Sequence, residues 1–91
     1  MSGAITLPAR LDTAAAVALE ARLEGEGDLT LEAGQVDMLG GLCLEILLDA
    51  IARRRAAGAA VAIDGPSGGF LSCLSTYGID ANTFAAGGHS Q

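Results

Sequence analysis

The sequence has few basic residues. It contains no lysine and only five arginines against eleven acidic residues, which gives a formal net charge of −6 at pH 7. Nucleic acids and anionic membrane surfaces attract strongly basic domains, so this balance argues against both as partners. A protein partner with a basic patch suits an acidic chain better. We therefore expect no nucleic acid and no direct membrane insertion.

Residue types that build catalytic and metal sites are also scarce. His89 is the only histidine, and Cys43 and Cys73 have neither CxxC spacing nor a companion histidine cluster. A thiol at Cys43 would lack a base, and burial would raise its pKa. The "DGPSGG" turn lacks the spacing and the lysine of a phosphate-binding loop. We therefore expect no enzyme activity, no catalytic residue, no metal site and no cofactor.

Long apolar runs are missing as well. Acidic residues or glycines interrupt every apolar stretch well before the ~18 residues that are typical of a membrane-spanning helix. The N-terminus lacks the basic segment and the apolar run of a secretory signal. Two cysteines in apolar surroundings are typical of buried thiols in a reducing compartment. These features predict a cytoplasmic protein.

The hydrophobic residues, 51% of the 91 residues, suffice for one small core. Their spacing, together with capping and helix-stopping residues, predicts three strands and three helices. The predicted strands are residues 4–7, about four residues within "DLTLEAG", and "AAVAID". The predicted helices begin after an Asp12 cap, at Gly41 and after a Ser67 cap, and they end at Gly25, Gly58 and Gly78.

This β-α-β-α-β-α order predicts an α/β fold with a small, mostly parallel sheet. Pro8 limits the pairing of the first strand, and residues 33–39 are predicted to form a loop. The glycine-rich segment "NTFAAGGHSQ" is typical of a flexible tail. The expected organisation is one domain over residues 1–81 and a tail over residues 82–91.

The second helix is predicted to begin on "GGLC", without a capping hydroxyl. Ser, Thr, Asp or Asn usually satisfy the free N–H groups of a helix start, and Asp37 is the only acid nearby. Two glycines are compatible with a simple tight turn. They would also let another backbone, or an anion, approach the N–H groups closely.

The surroundings of this helix resemble the STAS domain, the fold of anti-sigma factor antagonists, over roughly residues 4–80. The resemblance rests on Val36, Leu39, the "LEILL" segment, Gly58, "GPS" at 65–67 and "YGID" at 77–80. Family members usually carry an apolar residue, Asp, one or two Ser/Thr, Gly and Leu after the second strand. Here Gly40 replaces the Asp, Gly41 and Leu42 replace the hydroxyl residues, and Cys43 replaces the Gly.

In phosphorylated STAS proteins, a kinase modifies the Ser or Thr of this motif, and the added charge decides whether a partner stays bound. The chain has no hydroxyl residue between Thr30 and Ser67. The resemblance therefore implies a docking surface with no phosphorylation at the family site. Ser67, at another helix start, remains a candidate acceptor.

The segment "LGGLCLEILL" is similar to small STAS proteins encoded beside chemotaxis kinases in bacteria. This resemblance implies a non-catalytic protein–protein interaction module that docks on a chemotaxis-type histidine kinase or its regulator. Two alternatives stay open: a STAS subunit of a lipid-transport ABC complex, and an anti-sigma factor antagonist that is not switched by phosphorylation. The expected partner is thus a signalling kinase, a response regulator, an anti-sigma factor or an ABC ATPase.

A helical wheel divides the second helix into two faces. The predicted core stripe is Cys43, Leu44, Leu47, Leu48 and Ile51, whereas Leu42 and Ile46 lie beside Glu45, Asp49 and Arg53. Scattered exposed apolar residues and solvated acidic faces are common, so this outer face could be ordinary surface. Alternatively, it binds a partner. The predicted docking surface consists of Gly40, Gly41, Leu42, Glu45, Ile46 and Asp49.

Overall fold

The computed structural model describes residues 3–79; the predicted boundary at residue 81, the predicted tail and His89 lie outside them. In chain order the elements are β1 (Gly3–Thr6), β2 (Arg10–Leu11), α1 (Ala16–Leu23), β3 (Leu29–Glu32), β4 (Met38–Leu39), α2 (Gly41–Ala56), β5 (Val61–Asp64) and α3 (Gly68–Thr76). A 3-10 turn, Thr13–Ala15, leads into α1. The α/β fold predicted from the sequence is confirmed.

The main sheet contains three parallel strands in the order β1-β3-β5. Leu31 occupies its centre, paired with Ile5 on one side and Ile63 on the other. Buried side chains from all three strands contribute to one core, which α1, α2 and α3 complete. Parallel strands require crossover connections, and the helices between β1, β3 and β5 provide them.

The second sheet, β2 paired in parallel with β4, was not predicted. Pro8 has no N–H to donate, so β1 stops at Thr6, and the chain pairs again beyond it. Asp37 and Met38 both donate their N–H groups to the Ala9 carbonyl, at 2.8 and 3.1 Å. The prediction that residues 33–39 are entirely loop was therefore wrong. Strands of two residues are too short to show an alternating sequence pattern.

Predicted helix ends are confirmed where a local residue determines them. Asp12 accepts a hydrogen bond from the Ala15 N–H at 3.1 Å, although the turn that it caps is a 3-10 turn rather than the first turn of α1. Gly58 and Gly78 have φ values of +87° and +73°, in the left-handed region that favours glycine after a helix.

The buried residues of α2 differ from those of the predicted stripe. Its buried residues are Cys43, Leu44, Leu47, Ala50, Ile51 and Arg54, whereas Leu48 is only half-buried. The sequence spaces Phe70, Leu71, Leu74 and Tyr77 at helical intervals, but only Phe70 and Leu74 are buried; Leu71, and Tyr77 just after α3, are exposed. Cys73 is half-buried rather than fully buried. The second helix therefore buries a wider stripe than its leucines indicate, and the third buries a narrower one.

Arg54 has a structural role that was not anticipated. Arg54 lies in the last turn of α2, where a cation favours the helix dipole, but its side chain is only 8% exposed and reaches the end of α1. Its Nη2 donates to the carbonyls of Leu23 and Glu24, at 3.0 and 3.4 Å, and its Nη1 donates to that of Gly27 at 2.8 Å. Carbonyls at a helix end have no partner within the helix, so Arg54 satisfies them. This contact fixes α1 beside α2.

Candidate functional site

The start of α2 explains the first glycine of the pair. Gly40 is the N-cap residue, and its N–H donates to the Leu11 carbonyl at 2.8 Å. A Cβ atom at this position would lie 3.1 Å from the same carbonyl oxygen. The close approach allowed by Gly40 is therefore made by the protein's own backbone in β2. Gly40 itself is half-buried.

The second glycine, Gly41, is exposed, and the side chain of Tyr77, the residue after α3, lies nearby. A Cβ atom on Gly41 would lie 3.8 Å from the Tyr77 hydroxyl, an ordinary contact distance. That hydroxyl donates to the Leu39 carbonyl at 3.2 Å, and Tyr77 is 44% exposed. Sequence reasoning missed Tyr77 because it lies far along the chain; its polar tip on an apolar ring was the only available signal.

The two apolar residues of the predicted docking surface differ in burial. Leu42 is 48% exposed, as the helical wheel predicts. Ile46 is half-buried and packs against the core, so its side chain serves both the fold and the surface. Leu42 is therefore the residue that offers the most accessible apolar contact on this part of α2.

The charged residues of the predicted docking surface, Glu45 and Asp49, are both exposed. Asp49 accepts a hydrogen bond from the Arg53 Nε at 3.0 Å, one helical turn further along. Both side chains are mostly exposed, so the pair contributes only about 0.3–0.5 kcal/mol to stability. Glu45 is exposed, and no cation within residues 3–79 forms an ion pair with it.

A groove between α1 and α2 brings four of the six predicted residues together. It has a volume of about 190 Å³ and is lined by Glu20 and Leu23 from α1 and by Leu42, Glu45, Ile46, Asp49 and Arg53 from α2. Gly40 and Gly41 do not line it. Glu20 and Leu23 were missed because they come from a different helix, and a wheel drawn for α2 alone cannot include them. We call this feature the α1–α2 groove.

Cys43 does not provide a reactive thiol at the start of α2. Its side chain is fully buried, and its Sγ donates to the Asp12 carbonyl at 3.3 Å. Burial raises the pKa of the Cys43 thiol, and the nearby negative charge of Asp12 raises this pKa further. The neutral thiol is therefore the favoured form, as expected from the sequence.

Ser67 uses its hydroxyl within the fold. The Ser67 Oγ accepts a hydrogen bond from the Phe70 N–H at 3.0 Å and donates to the Val36 carbonyl. This confirms Ser67 as the cap of α3. A phosphate on Ser67 would remove the donated bond and place two or so negative charges beside the Val36 carbonyl. Ser67, the remaining candidate for phosphorylation, thus already uses its hydroxyl to stabilise the start of α3.

Two general features complete the description of residues 3–79. This part of the chain contains no group of three or more His, Cys, Asp or Glu side chains arranged to hold a metal ion. None of its helices has the length and apolar character needed to cross a membrane.

Comparison with known proteins identifies the family. Residues 2–84 match the family model described as "Mlab, STAS domain". No curated protein and no solved structure gives a significant match. STAS domains are generally non-catalytic modules that interact with protein partners. Since the match covers nearly the whole chain, this protein belongs to the STAS-domain family.

Proposed function

We propose that the chain is a docking module that binds a bacterial signalling kinase or its regulator through α2, without phosphorylation of α2 itself. The observation that carries this proposal is the exposed side chain of Leu42, next to an exposed Gly41, in the first turn of α2. A glycine at position 41 beside an accessible leucine lets a partner's main chain approach closely. Tyr77, the residue after α3, lies beside Gly41 and adds a partly exposed aromatic ring to the same region.

The replaced motif supports constitutive rather than switched docking. Positions 40–43 carry no hydroxyl, and the buried Cys43 thiol stays protonated. A kinase therefore has no acceptor in the first turn of α2. On this proposal, binding is controlled by the amounts of the two proteins or by changes in the partner.

Kinetic binding to a purified partner tests the proposal. The kinase, the anti-sigma factor and the ABC ATPase encoded nearest to the gene are the three candidates, and each represents one of the alternatives. Leu42→Asp should raise the dissociation rate of the true partner at least about fivefold, since loss of an apolar anchor commonly costs more than ~1 kcal/mol.

Leu71→Asp is the matched control, because Leu71 is a similarly exposed leucine (40%, against 48% for Leu42) on α3. It should bind like the parent protein. If Leu42→Asp binds like the parent, the docking surface does not include α2. If only the ABC ATPase or only the anti-sigma factor binds with Leu42 dependence, the corresponding alternative replaces the kinase.

A further inference from the structure

We propose that the α1–α2 groove receives a basic segment of the partner protein, in which one large apolar side chain is flanked by lysine or arginine. The inference rests on the proposed docking function and specifies the chemistry of the partner. It adds Glu20, from α1, to the residues that determine binding.

The size of the groove limits what enters it. A groove of about 190 Å³ has room for a side chain but not for a whole helix, whose diameter with side chains is about 10–12 Å. Leu42 and Ile46 supply most of its accessible apolar surface, because Leu23, which also lines it, is buried. A leucine or phenylalanine side chain placed there would exchange contact with water for contact mainly with Leu42 and Ile46.

The charges around the groove determine which residues should flank the apolar side chain of the partner. Glu20, Glu45 and Asp49 line it together with a single cation, Arg53, which is paired with Asp49. Neither Glu20 nor Glu45 forms an ion pair with a cation within residues 3–79. Two carboxylates therefore remain for a partner, one on each helix. Lysine or arginine on both sides of the apolar side chain would face them.

A second copy of this chain suits the groove poorly. The net charge of −6 opposes the approach of two copies. Of the five arginines, Arg54 is buried, Arg55 is half-buried, Arg53 lines the groove itself, Arg22 donates to the Thr6 carbonyl and Arg10 lies 3.8 Å from the Asp12 carboxylate. The chain has no lysine to offer. Charge complementarity thus favours a different, basic protein.

Nuclear magnetic resonance titration of the ¹⁵N-labelled full chain tests this directly. The probe is a short synthetic peptide with one leucine between two lysine pairs and with serine and glycine elsewhere. At millimolar concentration, it should shift the amide signals of Glu20, Leu23, Leu42 and Ile46. The same peptide with glutamate in place of lysine, or serine in place of leucine, should produce no such localised shifts.

Substitutions at exposed charged positions should change the affinity for the peptide in opposite directions. Glu20→Gln and Glu45→Gln should each weaken peptide binding about two- to fivefold, the range expected of a surface ion pair. Arg53→Gln should strengthen it by a similar factor, because Asp49 then loses its partner. Glu24→Gln is the control: Glu24 is an exposed carboxylate on α1's end that does not line the groove. It should change affinity by less than any of the three.

The result separates this inference from the proposed function. If Glu20→Gln and Glu45→Gln bind the peptide like the parent, or the shifts lie elsewhere, the basic segment is ruled out, whereas loss of the natural partner by Leu42→Asp would still support docking. If Leu42→Asp keeps the natural partner but the peptide titration behaves as expected, docking through α2 fails and the groove remains a basic-segment site. Shifts that depend on protein concentration without peptide would assign the groove to a second copy and overturn the inference.

Discussion

α2 and α3 begin in similar sequences but differ in how their first turns are capped. Both start on a glycine pair that follows a strand, Gly40-Gly41 after β4 and Gly68-Gly69 after β5 and its turn. α3 is capped by the Ser67 hydroxyl. No side chain within residues 3–79 caps α2, whose N-cap residue is Gly40 itself.

In each pair, one glycine is required by a close backbone contact and the other is not. A Cβ atom on Gly69 would lie 2.8 Å from the Val36 carbonyl oxygen, whereas one on Gly68 would meet nothing within 4 Å. At α2, the tight position is Gly40 and the open one is Gly41. In both pairs, therefore, packing requires glycine at one position and leaves the other position open to a side chain. At α3 that position is simply exposed, and at α2 it lies in the proposed docking surface.

The largest expected effect tests whether Leu47 belongs to the core and Leu42 to the surface of α2. Leu47→Asp should destabilise the protein by more than about 4 kcal/mol, because it buries an unpaired carboxylate where the leucine is fully buried. Leu42→Asp should change stability by less than about 1 kcal/mol, since an acid in a first helical turn is favourable. Urea unfolding of both variants measures the difference.

Ile46→Asp should fall between these two variants, because Ile46 is half-buried and packs against the core. The sequence alone placed Ile46 and Leu42 on the same exposed face, so it predicted equal tolerance for both. If Leu42→Asp unfolds as easily as Leu47→Asp, Leu42 is a core residue and the surface proposed for docking does not exist.

Features that depend on neighbouring residues could be predicted from the sequence, and features that depend on distant ones could not. The Asp12 and Ser67 caps, the stops at Gly58 and Gly78 and the burial of Leu47 follow from local hydrogen bonds and helical periodicity. The burial of Arg54 by α1 depends on a contact across about thirty residues of chain. The contact of Tyr77 with the start of α2 is of the same kind.

The same limit applies to the candidate site. The outward position of Leu42, Glu45 and Asp49 is periodic and was predicted, because each lies on one face of a single helix. The groove needs a second helix at a defined distance, and nothing in the local sequence of α1 marks Glu20 as its neighbour. A Gly-Gly pair likewise gives no sign of which member has a backbone against it.

The second largest expected effect tests which glycine of the α3 pair, Gly68 or Gly69, is required by a close backbone contact. Gly69→Ala should destabilise the protein by about 1–3 kcal/mol, because its Cβ would overlap backbone atoms of Val36 and Asp37, which cannot rotate away. Gly68→Ala is the matched control, and it should be neutral or stabilise by up to about 1 kcal/mol, since alanine favours helices over glycine. Thermal melts of both variants decide it. Equal melting temperatures would mean that α3 shifts freely and that the close contact has no cost.

The smallest expected effect asks why α2 has no capping hydroxyl. Gly40→Ala and Gly40→Ser add the same Cβ atom 3.1 Å from the Leu11 carbonyl oxygen, so they share any strain and differ only by the hydroxyl. Serine should be about 0.5–2 kcal/mol more stable than alanine, because only serine can cap the free N–H groups. Both should still be less stable than the parent, Gly40→Ser by less than about 1 kcal/mol, because the strain outweighs the added cap.

Ser67→Ala provides the reference at α3, where removing the hydroxyl should lose about 1–2 kcal/mol through the cap and the bond to the Val36 carbonyl together. Chemical unfolding of the three variants gives these differences. A Gly40→Ser protein that is more stable than the parent would show that β2 can move away from α2. Packing beneath Gly40 would then not explain the missing cap, which would leave the proposed approach of a partner to Gly41 as the alternative explanation.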